Sequence, residues 1–227
     1  MTARRSFAAL HPLAWLVPLA VALRLVMFTG RGDYVAFDEG WYLLLGRSLF
    51  AGDGFSLTGL RHVTLSPLFP ILAGALDALL GNAVWSGRIV AAGAAGLLVA
   101  PCWFIFRRLA GHRTALLACM IVVALPTLAP FVVPYWIGRD LWVGAEPLLH
   151  LFLFTGLALV LAARSTTGVR GTVTWLAAGA CFALAYLARP EAIIAVGVLG
   201  LLCGAAALLA RDGRTILRLA AFALAFG

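Results

Sequence analysis

Two adjacent acidic residues, Asp38 and Glu39, stand at the start of a stretch whose pattern predicts an amphipathic helix at a membrane interface. Trp41 and Leu45 share one face of that helix, and tryptophan and tyrosine favour the headgroup level, which also suits Tyr42. The two acids either cap the helix and complement its dipole, or one of them acts as a general base beside apolar surroundings. Because neighbouring helical residues point about 100° apart, at most one carboxylate faces a given reacting atom.

Two further charged groups stand where apolar runs begin or end. Glu146 immediately precedes Pro147, so its carboxylate either complements a helix N-terminus or points into a cavity at that side of the membrane. Arg189 and Glu191 flank Pro190 between two apolar runs. They form either a turn with a local ion pair or a ligand site, since a guanidinium can bind phosphate through two parallel hydrogen bonds.

The remaining polar candidates are isolated in the sequence. Arg61 and His62 lie in a polar stretch, where a lone histidine is more often a surface or hydrogen-bonded residue than a ligand. Arg24, Arg88 and Arg139 lie close to predicted membrane ends, where arginine side chains can snorkel towards the headgroups. The sequence has no HExxH, GxSxG or glycine-rich phosphate loop, so zinc protease, serine hydrolase and soluble NTPase functions have no support.

The elements that must position these side chains are transmembrane helices. Of the 227 residues, 63% are hydrophobic and 11% are charged, and the mean hydropathy is +1.03. A soluble domain could not cover so much apolar surface with so little polar material, so a water-soluble fold is excluded. Since about 20 apolar residues cross a bilayer as a helix, the length predicts an all-α, polytopic bundle of about six or seven spans. We expect a single domain over residues 1–227.

The charge distribution indicates membrane loops and not a nucleic-acid surface. The net charge is +8, from 17 basic and 9 acidic residues, and every basic residue is an arginine. The arginines fall in small groups between apolar runs, as they do in the cytoplasmic loops of membrane proteins. We therefore expect membrane lipid, and no nucleic acid, as a partner. The four cysteines lie inside apolar runs without a CxxC pair, which indicates small buried hydrophobic side chains.

The arginine groups also predict which runs cross the membrane. Arg4 and Arg5 place the N-terminus in the cytoplasm. The run 67–80 gives only about 21 Å of helix, against a hydrocarbon core of roughly 30 Å. If this run stays on one side, the three later arginine groups are cytoplasmic, whereas if it crosses, all three lie outside. We therefore predict a juxtamembrane helix or re-entrant segment there. The apolar runs are 10–29, 67–80, 88–106, 114–133, 147–163, 172–188 and 191–210, and the arginine groups lie within 107–113, 164–170 and 211–218.

This topology puts the candidate residues on the extracytoplasmic side of a cell membrane. The first outer loop is 30–87, with juxtamembrane helices, the second is 134–146, and the third is the junction at 189–191. Most of the acidic residues fall in these segments. A last apolar run begins near Leu217 and stops at Gly227, too short to span, so we expect the chain to be the N-terminal portion of a longer protein.

Six short motifs occur in an order that resembles the polytopic GT-C glycosyltransferases, and most closely glycosyltransferase family 39, the protein mannosyltransferases and aminoarabinose transferases. The resemblance extends from about Leu23 to Ala210, nearly the whole chain. Segment 61–66 lacks the basic-Pro-Pro pattern of some aminoarabinose transferases, which argues against that acceptor class. The motifs are Phe37-Asp38-Glu39-Gly40-Trp41-Tyr42, Ser66-Pro67-Leu68-Phe69-Pro70, Arg88 at a helix start, Arg107-Arg108-Leu109-Ala110-Gly111, Glu146-Pro147-Leu148 and Tyr186-Leu187-Ala188-Arg189-Pro190-Glu191.

The resemblance implies transfer of a sugar from a polyprenyl phosphate to an acceptor hydroxyl of a protein, lipid or polysaccharide. The reaction would pass through an oxocarbenium-like state, with Asp38 as the general base. Glu39 would help to shape the acceptor side of the site, and arginine would stabilise the departing lipid phosphate. The resemblance implies no metal and no other cofactor. The residues expected to bind substrate are Glu146, Arg189, Arg61, His62, Arg139 and Tyr42.

Two other functions remain open at this point. A transporter or flippase would place ionisable residues near the bilayer midplane, often with internal repeats, whereas here the acids gather at the outer face. A non-catalytic scaffold, or one half of a split membrane complex, would depend on a partner chain for its missing helices.

Overall fold

The computed structural model describes residues 11–30, 38–62, 64–132, 144–166, 168–209 and 213. Within these ranges the chain is all-α, as predicted, apart from one two-stranded antiparallel hairpin. The elements are α1 (Leu13–Thr29), α2 (Asp38–Ala51), β1 (Ser56–Leu57), β2 (Leu60–Arg61), α3 (Leu68–Leu80), α4 (Ala83–Leu97), α5 (Val99–Val132), α6 (Glu146–Ala163), α7 (Gly168–Ala188) and α8 (Ala192–Leu209).

Three helical stretches among the described residues are long and apolar enough to cross a membrane. They are Ala83–Ala124, Glu146–Ala163 and Gly168–Ala188. The apolar helices Leu13–Thr29, Leu68–Leu80 and Ala192–Ala205 are shorter. Length and composition therefore indicate a membrane protein.

Most predicted element boundaries agree with the structure, but the start of α4 was predicted too late. The prediction began this run at Arg88, whereas the helix begins at Ala83. Asn82 has extended backbone angles, and its side-chain oxygen accepts a hydrogen bond from the backbone N–H of Trp85 at 3.0 Å. This is the geometry of a helix N-cap, which satisfies a donor that the helix leaves open. The cap adds a helical turn before Arg88.

Helix α5 consists of two helices that meet at Gly111. This residue has φ 86° and ψ 177°, a conformation that glycine adopts without a steric cost. The junction falls within the arginine group that was predicted as a loop at 107–113. Next to it, the ring of His112 lies edge-on to Trp103, with 5.1 Å between centroids, and Trp103 lies edge-on to His11 at 5.6 Å. The start of α1 therefore lies beside the turn of α5.

Helices α1 and α4 pack antiparallel to each other. Gly96 lies so close to α1 that a Cβ atom there would collide with the side chain of Val21. Further along, the guanidinium of Arg88 lies 5.9 Å from the ring centroid of Phe28. Since α1 ends where α4 begins, the chain between them starts and finishes at the same end of the bundle. The prediction that segment 67–80 stays on one side of the membrane requires this arrangement.

Helices α2 and α3 approach closely through two glycines. A Cβ on Gly46 would lie 2.5 Å from the carbonyl oxygen of Pro70, and a Cβ on Gly74 would lie 2.8 Å from the Cα of Gly46. Beside this contact, Arg47 donates two hydrogen bonds to Asp77, at 2.9 and 3.2 Å. The Asp77 side chain is only 8% exposed, so the ion pair compensates a buried carboxylate. These contacts fix α2, which carries Asp38, against α3.

Two arginines lie inside the helix bundle. Arg24 is 7% exposed and Arg88 is 2% exposed, so neither extends to an exposed position in the way that snorkelling would require. Arg24 precedes Phe28 by one helical turn, and the guanidinium of Arg88 lies over both Phe28 and Trp85, 5.2 Å from the Trp85 ring centroid. Cation–π contacts of this kind help to offset the loss of hydration of a buried guanidinium.

Candidate functional site

Glu146 and Arg189, two of the charged residues singled out by the sequence, meet at one end of the bundle, beside a hydrophobic cluster built by six helices. Arg164, at the C-terminus of α6, lies towards the opposite end, because α6 runs away from the cluster and α7 returns to it. Gly111 also lies towards that end, because its turn adjoins the start of α1. The structure thus separates the arginine-containing turns from the candidate site. The buried members of the cluster include Phe28 of α1, Tyr42 of α2, Phe69 of α3, Ala91 of α4, Leu148 of α6 and Ala188 of α7.

Asp38 and Glu39 are the first two residues of α2, and their environments differ. Asp38 is exposed, whereas Glu39 is only 4% exposed. This difference follows from the angle between successive helical side chains. A hydroxyl group arriving from solvent can therefore reach the carboxylate of Asp38, while Glu39 belongs to the packed interior of the site.

Tyr42 lies one turn after Asp38 and connects α2 to the rest of the site. Its ring is buried and packs edge-on against Phe69, with 5.5 Å between centroids. Burial raises the pKa of the Tyr42 phenol, the positive charge of Arg189 opposes this shift, and the negative charges of Glu146, Asp38 and Glu191 raise it further. The phenol thus lies within electrostatic reach of residues from α2, the start of α6 and the turn between α7 and α8.

Glu146 and Arg189 form an ion pair that joins α6 to the end of α7. The Nη1 atom of Arg189 donates a hydrogen bond to Oε1 of Glu146. Glu146 lies in the first turn of α6 with Pro147 beside it, a position where a carboxylate complements the helix dipole and proline leaves no donor unsatisfied. A Cβ on Gly144 would lie 2.5 Å from Oε2 of Glu146, so glycine there leaves room for the carboxylate.

A second carboxylate, that of Glu191, binds the other edge of the same guanidinium. Nε of Arg189 donates to Oε2 of Glu191 at 3.3 Å, and Nη2 donates to Oε1 at 3.0 Å. Burial opposes the charged form of Arg189, but the hydrogen bond to Glu191 and the charges of Glu146 and Glu191 outweigh it and raise the pKa of Arg189. Arg189 is therefore a fixed positive charge between two acids.

An apolar groove of about 420 Å³ lies between α6, α7 and α8. Leu153 follows Glu146 by two turns, and Ala195 follows Glu191 by one turn, so the groove starts about 6–10 Å along the helices from the charged cluster. The guanidinium of Arg189 therefore lies one to two helical turns from an open groove whose apolar lining suits a hydrocarbon chain. The groove is lined by Leu153, Phe154, Leu157, Phe182, Ala195, Val198, Leu199 and Leu202.

The structure brings together some of the predicted site residues but not others. Glu146 and Arg189 form an ion pair, and their neighbours Ala145 and Ala188 share a hydrophobic cluster with Tyr42. Asp38 lies one turn before Tyr42 on α2. Arg61 is exposed on β2. The side chain of His62 contacts residues of its own loop: Nε2 accepts a hydrogen bond from the N–H of Leu65 at 3.2 Å, and the ring lies near Phe55. Arg139 lies outside the described residues.

The link between Glu146 and Arg189 was missed by sequence reasoning. The two residues are 43 positions apart. Both were predicted to bind substrate, with a helix charge as the alternative for Glu146 and a local ion pair with Glu191 as the alternative for Arg189. One signal was present, since both residues adjoin a proline at a helix boundary on the same predicted side of the membrane. That signal indicates proximity in depth only, because which helices are neighbours depends on tertiary packing.

Among the described residues, no group of three histidine, cysteine, aspartate or glutamate side chains is close enough to hold a metal ion. Comparison of the chain with protein-family models, with curated proteins and with solved structures finds no match.

Proposed function

We propose that this chain is an integral membrane glycosyltransferase that moves a sugar from a polyprenyl-phosphate carrier to an acceptor hydroxyl on the extracytoplasmic face. The observation that carries the proposal is the Glu146–Arg189 ion pair, which adjoins the hydrophobic cluster that holds Tyr42. The exposed carboxylate of Asp38 lies one helical turn before Tyr42 on α2. The proposal includes a bundle of six or seven spans with a cytoplasmic N-terminus.

The proposed reaction uses the two charges of the site on opposite sides of the sugar. The acceptor oxygen attacks the anomeric carbon while the carboxylate of Asp38 takes the hydroxyl proton. The bond between that carbon and the phosphate oxygen breaks, and its electron pair leaves with the lipid phosphate. Arg189 stabilises the departing phosphate with preorganised donors. Glu39 shapes the acceptor side, and Glu146 orients Arg189 on the phosphate side through their ion pair.

The apolar groove supports a lipid-linked donor over a water-soluble one. A prenyl chain is a hydrocarbon that stays in the apolar part of the bilayer, where a groove between helices holds it through van der Waals packing. A groove that starts within one or two turns of Arg189 holds such a chain while its phosphate stays at the level of the charged cluster. A free nucleotide sugar would gain nothing from this surface.

The test is Asp38→Asn in membranes supplied with a polyprenyl-linked sugar and an acceptor. Asparagine keeps the size of the side chain but cannot accept the proton, so the proposal expects turnover to fall by about 10²–10⁴-fold. Asp53→Asn is the matched control, because it removes an exposed acid just beyond α2 and leaves the cluster intact. Turnover by Asp38→Asn at the rate of the control would remove Asp38 as the base.

A second candidate, a transporter or flippase of anionic lipid, is favoured by one observation. Arg24 and Arg88 are buried within helices, and ionisable residues inside a membrane often mark a substrate pathway. Reconstituted vesicles distinguish the candidates. Movement of an intact lipid-linked sugar across the bilayer supports transport, whereas its consumption at one face supports transfer.

A further inference from the structure

Arg189 uses the two edges of its guanidinium in different ways. Nη1 bonds Glu146, whereas Nε and Nη2 together bond both oxygens of Glu191. The Nε–Nη2 edge is a planar fork, and such forks recognise carboxylate and phosphate groups through the same pair of parallel hydrogen bonds. Glu191 thus occupies the edge that a phosphate would need.

The two carboxylates differ in how firmly they are held. The Glu146 side chain is 19% exposed and is fixed at the start of a long helix, whereas the Glu191 side chain is 57% exposed. Exposed ion pairs are worth little because water competes for both partners. Of the two acids, Glu191 is the one that an incoming anion can replace.

Charge balance favours the exchange of one acid over the addition of a phosphate to the intact cluster. With both acids bound, the cluster of Arg189, Glu146 and Glu191 carries one net negative charge and repels a phosphate. If the phosphate takes the Nε–Nη2 edge, Glu191 swings into solvent and Arg189 stays paired on both edges. When no ligand is present, Glu191 provides the compensation that a half-buried guanidinium needs.

We propose that the Nε–Nη2 edge of Arg189 is a phosphomonoester or phosphodiester site that the Glu191 carboxylate occupies as an exchangeable stand-in when the substrate is absent. This inference rests on the proposed function for the identity of the phosphate, a lipid-linked one. It adds a role for Glu191, which holds the site in a neutralised state and sets the affinity for the lipid phosphate.

The experiment measures binding of radiolabelled farnesyl phosphate to the full chain in phosphatidylcholine nanodiscs, with empty nanodiscs to subtract partitioning. Glu191→Gln removes the competing carboxylate and keeps the size of the side chain, so we expect the Kd for farnesyl phosphate to fall by about three- to fivefold, the upper part of the range for an exposed ion pair. Asp53→Asn is the charge-matched control, and we expect it to leave the Kd within about twofold of the wild type.

The role of Arg189 is tested in the same assay. In an Arg189→Gln background, Glu191→Gln should no longer tighten binding. If Arg189→Gln does not fold, Arg189→Lys serves, since it keeps the charge and loses the fork. Three results overturn the proposal: a Kd for Glu191→Gln equal to or above that of the wild type, the same gain in Asp53→Asn, or a gain that persists without the Arg189 fork. No sugar is present in this assay, so a failure of the glycosyltransferase proposal appears separately, in the turnover of Asp38→Asn.

Discussion

The close contact between α2 and α3 predicts that a larger side chain at Gly74 destabilises the fold. A Cβ atom added there would lie 2.6 Å from the carbonyl carbon and 2.8 Å from the Cα of Gly46, both of them backbone atoms. Ordinary contacts between carbon atoms are about 3.5–4.0 Å, so Gly74→Ala requires the two helices to separate by roughly 1 Å. Overpacking of this kind costs about 1–3 kcal/mol.

The matched control is Gly93→Ala in α4, where an added Cβ meets no atom within 4 Å. Alanine is a better helix former than glycine by about 0.5–1 kcal/mol, so this variant should be as stable as the wild type or more stable. The measurement is reversible unfolding in mixed micelles with increasing SDS, followed by circular dichroism. Because α2 carries Asp38 and Tyr42, Gly74→Ala should also lower any sugar transfer. Equal stability of the two variants would refute the close approach of α2 and α3.

Two further predictions concern neighbouring side chains. Burial and the surrounding acids raise the pKa of Tyr42 above its ordinary value, so its phenol should ionise at higher pH than a free tyrosine in a 295 nm titration, taken as the difference between wild type and Tyr42→Phe. Above pH 10 the phenol of Tyr42 keeps its proton in the folded state but loses it in the unfolded state, so Tyr42 should make folding stability fall as the pH rises above 10. A titration difference between wild type and Tyr42→Phe centred at or below pH 10 would contradict this. Arg47→Gln leaves the buried carboxylate of Asp77 without its ion-pair partner and should destabilise the fold by about 1–3 kcal/mol, whereas the double variant with Asp77→Asn should recover part of the loss. A double variant no more stable than Arg47→Gln in the SDS titration would argue against this coupling.

Much of the helical framework could be predicted from the sequence, because the hydrophobic runs of a membrane protein are long and their ends carry charge. The predicted run 67–80 corresponds to α3 (Leu68–Leu80), and the run 147–163 corresponds to α6 (Glu146–Ala163). Helices α1 and α4 run antiparallel, as the argument from arginine groups requires, and the side of the membrane on which each arginine group lies stays a prediction. The late start predicted for α4 arose because the charge of Arg88 was taken as a helix boundary, whereas Asn82 is the cap.

The pairing of side chains could be predicted only in part. Glu191 and Arg189 are two residues apart, so their ion pair follows from the sequence, but the bond from Arg189 to Glu146 depends on α6 and α7 lying side by side. The burial of Arg24 and Arg88 was also out of reach, since hydropathy gives the depth of a residue in the membrane but not which face of the helix meets its neighbours.

The most direct test of the proposed sugar transfer is to follow both labels of a doubly labelled donor. The full chain in vesicles would receive a polyprenyl-phosphate sugar with one isotope in the sugar and another in the phosphate, together with an acceptor. The account predicts that sugar label appears in the acceptor while an equal amount of prenyl phosphate is released, and that both signals are lost in Asp38→Asn. Intact donor that moves across the bilayer with both isotopes together, or equal release by wild type and Asp38→Asn, would contradict it.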